Sequence, residues 1–499
     1  MQQNKVGEQK SFRLFGHFSL VLLLGVSSVN AQSFEDFKRS QAESFQQYQD
    51  ERDSAFSKYL KQQWKAYNVQ ISDKRYEKPK PTIAPTTPQS KIKSVGPKVN
   101  ISIKESKNEI VDKKHIDKPF IINIIQPIKK EKKSKIAPKD ITFDFYGTKL
   151  GFDLQDKIKN ANFYPQNQKG ITNFFSTVAS SEYEELIKDI DKARRDMQLN
   201  DWGLYLLVLK VSHEVYRDSD NAKLLSWFIF NKLGYAVKVG LAKKHIILMH
   251  YSKKNIYSTP SYSFGKRKYY VLSHYAKGNV GRIFSYKQDY PESTKALDLA
   301  LDKLPLFKPN MKIKTISFKE YGKTYKVSYP YNQNLIDFMS TYPQADYETF
   351  FNAPLDDRTY KSIAESLKKH LDGKQIGDAM NFVLHFVQKS FKYSKDNVQF
   401  NREKVMFAQE TLYFDKSDCE DRAVLFSYLI KELFSITVYG VHYKGHMATA
   451  LYVPMKGDFI KLGSKKLVIA DPTYINSNIG QSMPRYRSKR PKNIIKIKK

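Results

Sequence analysis

The segment 71–140 limits the fold of this chain more than any other feature, because its seventy residues show no apolar periodicity. It contains eight prolines and 18 Lys or Arg residues against eight Asp or Glu residues. Proline cannot donate a backbone hydrogen bond, and an excess of like charge opposes collapse. We therefore expect an extended, mostly disordered linker here, with the packed cores built from other parts of the chain.

The beginning of the chain is typical of an export signal. Basic residues precede an apolar run of nine residues, 18–26, and the residues at Val29 and Ala31 fit cleavage after Ala31. A run of this length is too short to cross a bilayer, which takes about 20 helical residues. We expect residues 1–31 to be a signal peptide and the mature protein to be periplasmic or secreted, without a transmembrane span.

Residues 32–70, between the signal and the linker, carry aromatic side chains at intervals of eleven residues. The two series are Phe34, Phe45, Phe56 and Tyr67, and Phe37, Tyr48 and Tyr59. Eleven residues are about three helical turns, so these rings form one stripe on a long amphipathic helix. We expect the stripe to pack on the protein itself or on a partner in the envelope, since nearby acidic residues disfavour a membrane surface.

The residues after the linker, 141–484, contain two successive sets of helical patterns, each followed by strand patterns. This order predicts the α+β class, with an N-terminal α+β domain at 141–340 and a second domain at 341–484. A shift of 200 residues aligns Asp218-Ser219-Asp220 with Asp418-Cys419-Glu420. The first domain is therefore either a degenerate, inactive copy of the second or unrelated to it.

The net charge of +33 is unevenly distributed along the chain. Residues 485–499 contain eight basic and no acidic side chains, and the linker is basic as well. We interpret residues 485–499 as a solvated basic tail. Alternatively, the tail and the linker together contact an anionic surface. No sequence motif indicates specific binding of nucleic acid.

The chain has a single cysteine, Cys419, which excludes an intramolecular disulfide framework and a zinc site built on several thiolates. Ser417 and Glu420 have the spacing of a capping box, which predicts a helix with Cys419 in its first turn. The N–H groups and the macrodipole at a helix start favour a thiolate. Cys419 is therefore either a small buried core residue or a nucleophile.

A thiolate nucleophile requires a base and a group that orients the base. His446 follows a glycine at a predicted hairpin turn, and Asp471 ends the next predicted strand. Adjacent antiparallel strands would hold these two side chains together, facing the helix that carries Cys419. His442, within the preceding strand, is an alternative base, and no cofactor or metal site is predicted.

Three motifs resemble the transglutaminase-like superfamily of papain-like thiol enzymes, in particular its exported bacterial members. They are the helix start Asp418-Cys419-Glu420-Asp421-Arg422, the pair Gly445-His446 and the strand end Asp471-Pro472-Thr473. The resemblance covers residues 375–484. It implies a catalytic domain in which helices precede an antiparallel sheet, with Cys419 as nucleophile, His446 as general base and acid, and Asp471 as orienting carboxylate.

The resemblance leaves two parts of the site unassigned. Many members of the superfamily have an aromatic residue two positions after the histidine, where this chain has Ala448. The residue that forms the wall beside the imidazole is therefore unassigned. The side chain that would stabilise the oxyanion is also unassigned, and Asn397 and Gln399 are the candidates.

The function that the resemblance implies is that of an exported cysteine peptidase or amidase. Such an enzyme attacks an amide carbonyl, forms a thioester and releases the acyl group to water or to an amine. The alternatives are a protein-glutamine transamidase that forms crosslinks and a non-catalytic binding module of the envelope. We expect hydrolysis to dominate, because transamidases commonly line the amine channel with aromatic residues and the aromatic after His446 is missing.

Overall fold

The structure is a computed structural model that describes residues 31–62, 64–71, 82–86, 94–103, 139–217, 219–272 and 281–498. Nearly all of the predicted signal peptide and most of the predicted linker lie outside these ranges. The chain divides into two compact units, Met1–Arg52 and Asp53–Lys499. Among the helices of the described ranges, none combines the length and the apolar character that a bilayer crossing requires.

The aromatic helix, α1, comprises Ala31–Leu60. The prediction of a helix as far as residue 70 is wrong, because the chain turns at Lys61 and then forms the strands β1 (Trp64–Tyr67) and β2 (Gln70–Ile71). β1 pairs antiparallel with a strand from far along the chain, at 283–286. This long-range pairing overrides the local helical pattern, and Tyr67 lies on a strand instead of the stripe.

The aromatic stripe of α1 differs between the two units. In the first unit at least half of each aromatic side chain is exposed, which holds for Phe34, Phe37, Phe45 and Tyr48. In the second unit Phe56 is fully buried against Phe175, Trp227 and Tyr290. Packing on the protein itself, one of the two expected alternatives, therefore applies to this second part of the stripe.

A buried ion pair holds the second part of α1 in place. Both carboxylate oxygens of Asp53 accept hydrogen bonds from Lys232 Nζ, at 2.5 and 2.6 Å. The Tyr290 hydroxyl donates to Asp53 Oδ1 at 2.5 Å, and the Tyr183 hydroxyl accepts from Lys232 Nζ at 2.7 Å. Buried charges are tolerated when they are paired and hydrogen-bonded in this way.

The first set of helices and strands builds the sheet that we call the first sheet. Its helices are α2 (Asp156–Asn160), α3 (Gln168–Ala179), α4 (Glu184–Asp196), α5 (Asp201–Val215) and α6 (Ser219–Lys232), preceded by the hairpin β3 (Ile141–Phe145) and β4 (Thr148–Phe152). Its further strands are β5 (Val237–Ala242), β6 (His245–Tyr251), β7 (Pro260–Phe264), β8 (Arg267–Tyr270) and β9 (Ile283–Tyr286). The strand order is β1-β9-β5-β6-β8-β7-β2, antiparallel throughout. The helix α6, which is buried continuously from Leu224 to Asn231, packs on β5 and β6.

The second set repeats the order of helices before strands. It begins with the hairpin β10 (Met311–Glu320) and β11 (Lys323–Asn332) and the helices α7 (Gln333–Ser340), α8 (Tyr347–Phe351), α9 (Asp357–Leu371) and α10 (Ile376–Ser390). Short elements follow: β12 (Lys392–Tyr393), α11 (Asp396–Gln399), α12 (Ala408–Tyr413) and β13 (Lys416–Ser417). The helix α13 (Cys419–Phe434) then precedes β14 (Val438–Tyr443), β15 (His446–Leu451), β16 (Phe459–Leu462), β17 (Lys465–Ala470) and β18 (Asn493–Lys496). These five strands form the second sheet, in the order β16-β17-β15-β14-β18, and α13 packs across β14 and β15. The α+β class is thereby confirmed.

The two sheets share one connectivity. In each, a helix (α6 or α13) is followed by five strands, of which the first pairs with the second and the fifth, and the fourth pairs with the second and the third. The first two strands are joined in both cases by a turn of two residues, 243–244 or 444–445. This common topology favours the interpretation of 141–340 as a copy of the second domain.

The first sheet does not reproduce the predicted catalytic residues. Ser219 begins α6 where Cys419 begins α13, and His245 begins β6 where His446 begins β15. The residue after β8 is Val271, whereas Asp471 follows β17. His245 is about three-quarters exposed and contacts Asp220 at 3.1 Å between Nδ1 and Oδ2. The first sheet therefore has no carboxylate at the strand end that Asp471 occupies in the second.

Two described pieces of the predicted linker pack on residues of the predicted second domain. Ala84 N donates to Ile475 O at 2.8 Å, and Ile376 N donates to Pro97 O at 2.9 Å. Ala84 and Ile101 are buried. The residues 82–86 and 94–103 are thus ordered by contacts. Apart from residue 71 in β2 and residues 139–140, the rest of the predicted linker falls outside the described residues.

The predicted basic tail, 485–499, contains the strand β18, which pairs antiparallel with β14. Ile495 and Ile497 are buried, while Lys496 and Lys498 are exposed. The prediction of a solvated tail is wrong for these residues, because alternate side chains of a strand face opposite sides and the isoleucines cover the core. The basic residues 485–492 lie on the connection from β17 to β18.

Candidate active site

The helix α13 begins at Cys419, whose side chain is buried. Asp418 is the N-cap, and Asp421 Oδ2 accepts from Asp418 N at 3.0 Å. The capping box therefore lies one residue later than predicted from Ser417 and Glu420. The prediction that Cys419 falls in the first turn is unaffected by this shift, and the sulfur lies where the N–H groups of the helix start are concentrated.

The side chain of Arg422 fixes this helix start against the end of α10. Its guanidinium is buried, and it donates to Ser417 Oγ at 3.0 Å, Gln388 O at 3.3 Å and Phe391 O at 2.6 Å. Burial lowers the pKa of Arg422, and Asp418 acts in the opposite direction. The predicted motif thus contains a residue that anchors the helix carrying Cys419.

His446 and Asp471 form a buried hydrogen-bonded pair. The distance between His446 Nε2 and Asp471 Oδ2 is 2.8 Å, and neither side chain has more than about 2% of its surface exposed. The other carboxylate oxygen, Oδ1, accepts from the backbone of Thr473 at 3.0 Å and of Tyr474 at 3.2 Å. Since an ionised carboxylate only accepts, Nε2 carries the proton, and Nδ1 of a neutral ring is left as the basic nitrogen.

The end of α10 joins the two halves of the site. Gln388 Nε2 donates to Asp471 O at 3.0 Å and to Ser477 Oγ at 3.1 Å, while Gln388 O accepts from Arg422. One residue therefore positions both the strand end that carries Asp471 and the helix that carries Cys419. The sequence gives no local signal for this role, because a glutamine in a helix is ordinary.

Tyr486 supplies the wall beside the imidazole. Its ring lies 4.7 Å from the ring of His446, with 21° between the planes, and Tyr443 packs behind it at 5.2 Å. Burial raises the pKa of Tyr486, the Arg485 guanidinium lowers it, and negative charge on Cys419 and Asp471 raises it. The Tyr486 ring thus packs on the imidazole of His446, and its pKa responds to charge on Cys419 and Asp471.

The sulfur of Cys419 has an acidic neighbour. Its thiol donates to Glu420 Oε2 at 3.0 Å. Three overlapping groups of side chains at this helix start have ligand atoms within 4.8 Å of one another: Asp418, Cys419 and Glu420; Asp396, Glu403 and Glu420; and Asp396, Asp418 and Asp421. These residues, most of them oxygen donors, are the ones in the site that could hold a hard cation such as Ca²⁺ or Mg²⁺.

The other sequence candidates have different surroundings. His442, the alternative base, packs against Tyr347 at 5.1 Å between ring centroids and pairs with Met447 across the hairpin. Asn397 and Gln399 lie on the short helix α11, where Asn397 is exposed. His446 forms the hydrogen bond to Asp471, so His446 is the histidine with the geometry expected of a general base.

Comparison with known proteins adds nothing to this geometry. No protein-family model, no curated protein and no solved structure matches the chain.

Proposed function

We propose that the protein is an exported cysteine peptidase or amidase with a transglutaminase-like catalytic domain. The observation that carries the proposal is the buried hydrogen bond of 2.8 Å between His446 Nε2 and Asp471 Oδ2. A carboxylate in this position fixes the tautomer of the imidazole and stabilises the imidazolium that forms during catalysis. The helix start at Cys419 and the antiparallel sheet behind it further support this assignment.

In the proposed reaction, the Cys419 thiol rotates away from Glu420 toward His446. Nδ1 of His446 then takes the proton of the thiol. The sulfur then attacks the carbonyl carbon of an amide, and the oxyanion accepts from the backbone N–H of Cys419 in the first turn of α13. His446 returns the proton to the departing amine, and a thioester remains. Water, deprotonated by His446, attacks the thioester, and the carboxylic acid leaves as Cys419 regains its proton.

The test uses a thiol probe and a substitution. Mature protein is treated with an alkyne-tagged iodoacetamide between pH 5 and pH 9, beside the denatured protein and the Cys419→Ala variant. We expect native labelling at pH 6 to be faster than labelling of the denatured chain, because the base keeps Cys419 ionised. Native labelling that is slower than in the denatured chain at every pH contradicts the proposal.

A transamidase is the second candidate, and Tyr486 favours it. The expectation of hydrolysis rests on the missing aromatic after His446, but an aromatic wall is present from another segment. Incubation with glutamine-containing acyl donors and a labelled primary amine, followed by measurement of incorporated amine and free acid, separates the two reactions. Incorporation that exceeds hydrolysis at millimolar amine supports the transamidase.

A further inference from the structure

The connection from β17 to β18 crosses the edge of the second sheet at which the catalytic residues lie. β17 ends at Ala470 and β18 begins at Asn493, while β15 and β14 lie between these two strands. His446 begins β15 at the same edge at which β14 ends. The connection must therefore pass over His446, and Tyr486 is the residue that it stacks on the ring.

This connection is held in place on both sides of Tyr486. Asp458 Oδ2 accepts from Ser482 N at 2.9 Å and from Arg487 Nε at 3.0 Å. Lys492 N donates to His442 O at 2.8 Å, directly before β18. The segment that carries the basic residues 485–492 is thus held along the sheet edge instead of forming a free tail.

Three exposed cations lie on the segments that carry the stacked rings, and we call them the cationic rim: Lys444, Arg485 and Lys489. The Arg485 guanidinium lies 5.9 Å from the centre of the Tyr486 ring, which itself lies 4.7 Å from the His446 ring. Lys444 is in the turn just before His446, and Lys489 N bonds to Tyr486 O. No acidic residue follows Asp471 in the sequence.

We propose that the cationic rim selects acyl donors with acidic side chains beside the scissile amide, so that the substrate is an acidic peptide segment. This inference rests on the proposed function. Glu420, which accepts a hydrogen bond from the Cys419 thiol, is buried, so an acidic side chain of the substrate contacts the exposed rim instead. At about 10 Å in water, one cation raises the local concentration of a univalent anion by roughly twofold, and two cations by about fourfold.

The test compares two alkylating reagents that differ in charge. Iodoacetate and iodoacetamide are reacted with native and with denatured protein at about 10 mM salt, where screening is weak. We expect the rate ratio of iodoacetate to iodoacetamide, normalised to the denatured chain, to be about four, and to fall toward one at about 0.5 M salt. Arg485→Gln and Lys444→Gln should each halve it, whereas Lys149→Gln, at an exposed position of β4, should not change it.

The outcomes separate this inference from the proposed function. Native labelling by both reagents with a normalised ratio of one or less overturns the rim's role and leaves the thiol enzyme standing. If neither reagent labels the native protein, both the role of the rim and the proposed function are overturned. A second arm measures protection of Cys419 from iodoacetamide by hexaglutamate and hexaglutamine: protection by hexaglutamate alone supports the inference. Protection by anionic lipid vesicles but not by hexaglutamate would mean that the rim binds a membrane surface. This result overturns the inference.

Discussion

Protonation of His250 in the unfolded chain should make the fold lose stability in acid. This histidine of β6 is 1% exposed and lies edge-on to Tyr205 and Phe230, at 5.1 and 4.8 Å between ring centroids. Neither ring nitrogen has a hydrogen-bond partner within the described part of the chain. Burial lowers the pKa of His250 from 6.5 to about 3.

The direction of the change in stability follows from the protonation of His250 in the folded and the unfolded states. In the unfolded chain the imidazole takes up a proton below about pH 6.5, whereas in the folded protein it remains neutral down to about pH 3. The unfolded state therefore binds more protons, and stability falls as the pH falls through this window. Between pH 8 and pH 5 the loss from this one group is about 2 kcal/mol, at 1.36 kcal/mol per pH unit below 6.5.

The assay is urea unfolding at pH 8 and pH 5, followed by tryptophan fluorescence. All three tryptophans, Trp64, Trp202 and Trp227, precede residue 228, so the signal reports the part of the chain around His250. His250→Leu, of similar size but without a titrating group, should reduce the loss of stability between the two pH values by about 2 kcal/mol. His245→Leu, an exposed site on the same strand, should keep the full loss. An equal loss in the wild type and in His250→Leu would refute the reasoning.

Three further predictions concern the site and the anchor of α1. Asp471→Asn should slow native alkylation of Cys419 about a hundredfold or more, because the amide favours the wrong tautomer of His446, while the urea midpoint changes little. Tyr486→Leu should slow the same reaction about fivefold, as expected for loss of an aromatic contact of about 1 kcal/mol, and Tyr486→Phe should retain the wild-type rate. Asp53→Ala should lower the free energy of unfolding by about 3–5 kcal/mol, because it leaves the Lys232 ammonium buried without its anion. Urea titration measures this, and adding Lys232→Met should restore part of the loss; no restoration would contradict the account.

The local parts of the site were accessible from the sequence. A helix start, a hairpin turn and a strand end are each specified by a few neighbouring residues, so the surroundings of Cys419, His446 and Asp471 could be predicted from short patterns. The capping box was displaced by one residue because Ser417 and Asp418 are both good N-caps, and the choice depends on the contact of Asp421 with Met406 N.

The remaining parts depend on contacts between distant residues. Nothing near His446 indicates that Tyr486 covers it, since the tyrosine lies forty positions later in a basic run. β1 was mistaken for helix because its partner, β9, is more than 200 residues away. A signal for β18 did exist: Ile495 and Ile497 alternate with lysines in the way of a half-buried strand, but the high charge of the segment concealed it.

The contacts that hold the loop after Asp471 have a consequence for folding kinetics. Asn476 Nδ2 donates to Ala84 O at 3.1 Å, and these two residues are 392 positions apart. Closing so long a loop carries an entropic cost that local helices and hairpins do not, so such contacts form after the local elements. During refolding, helical circular dichroism should therefore recover before Cys419 acquires its native reactivity.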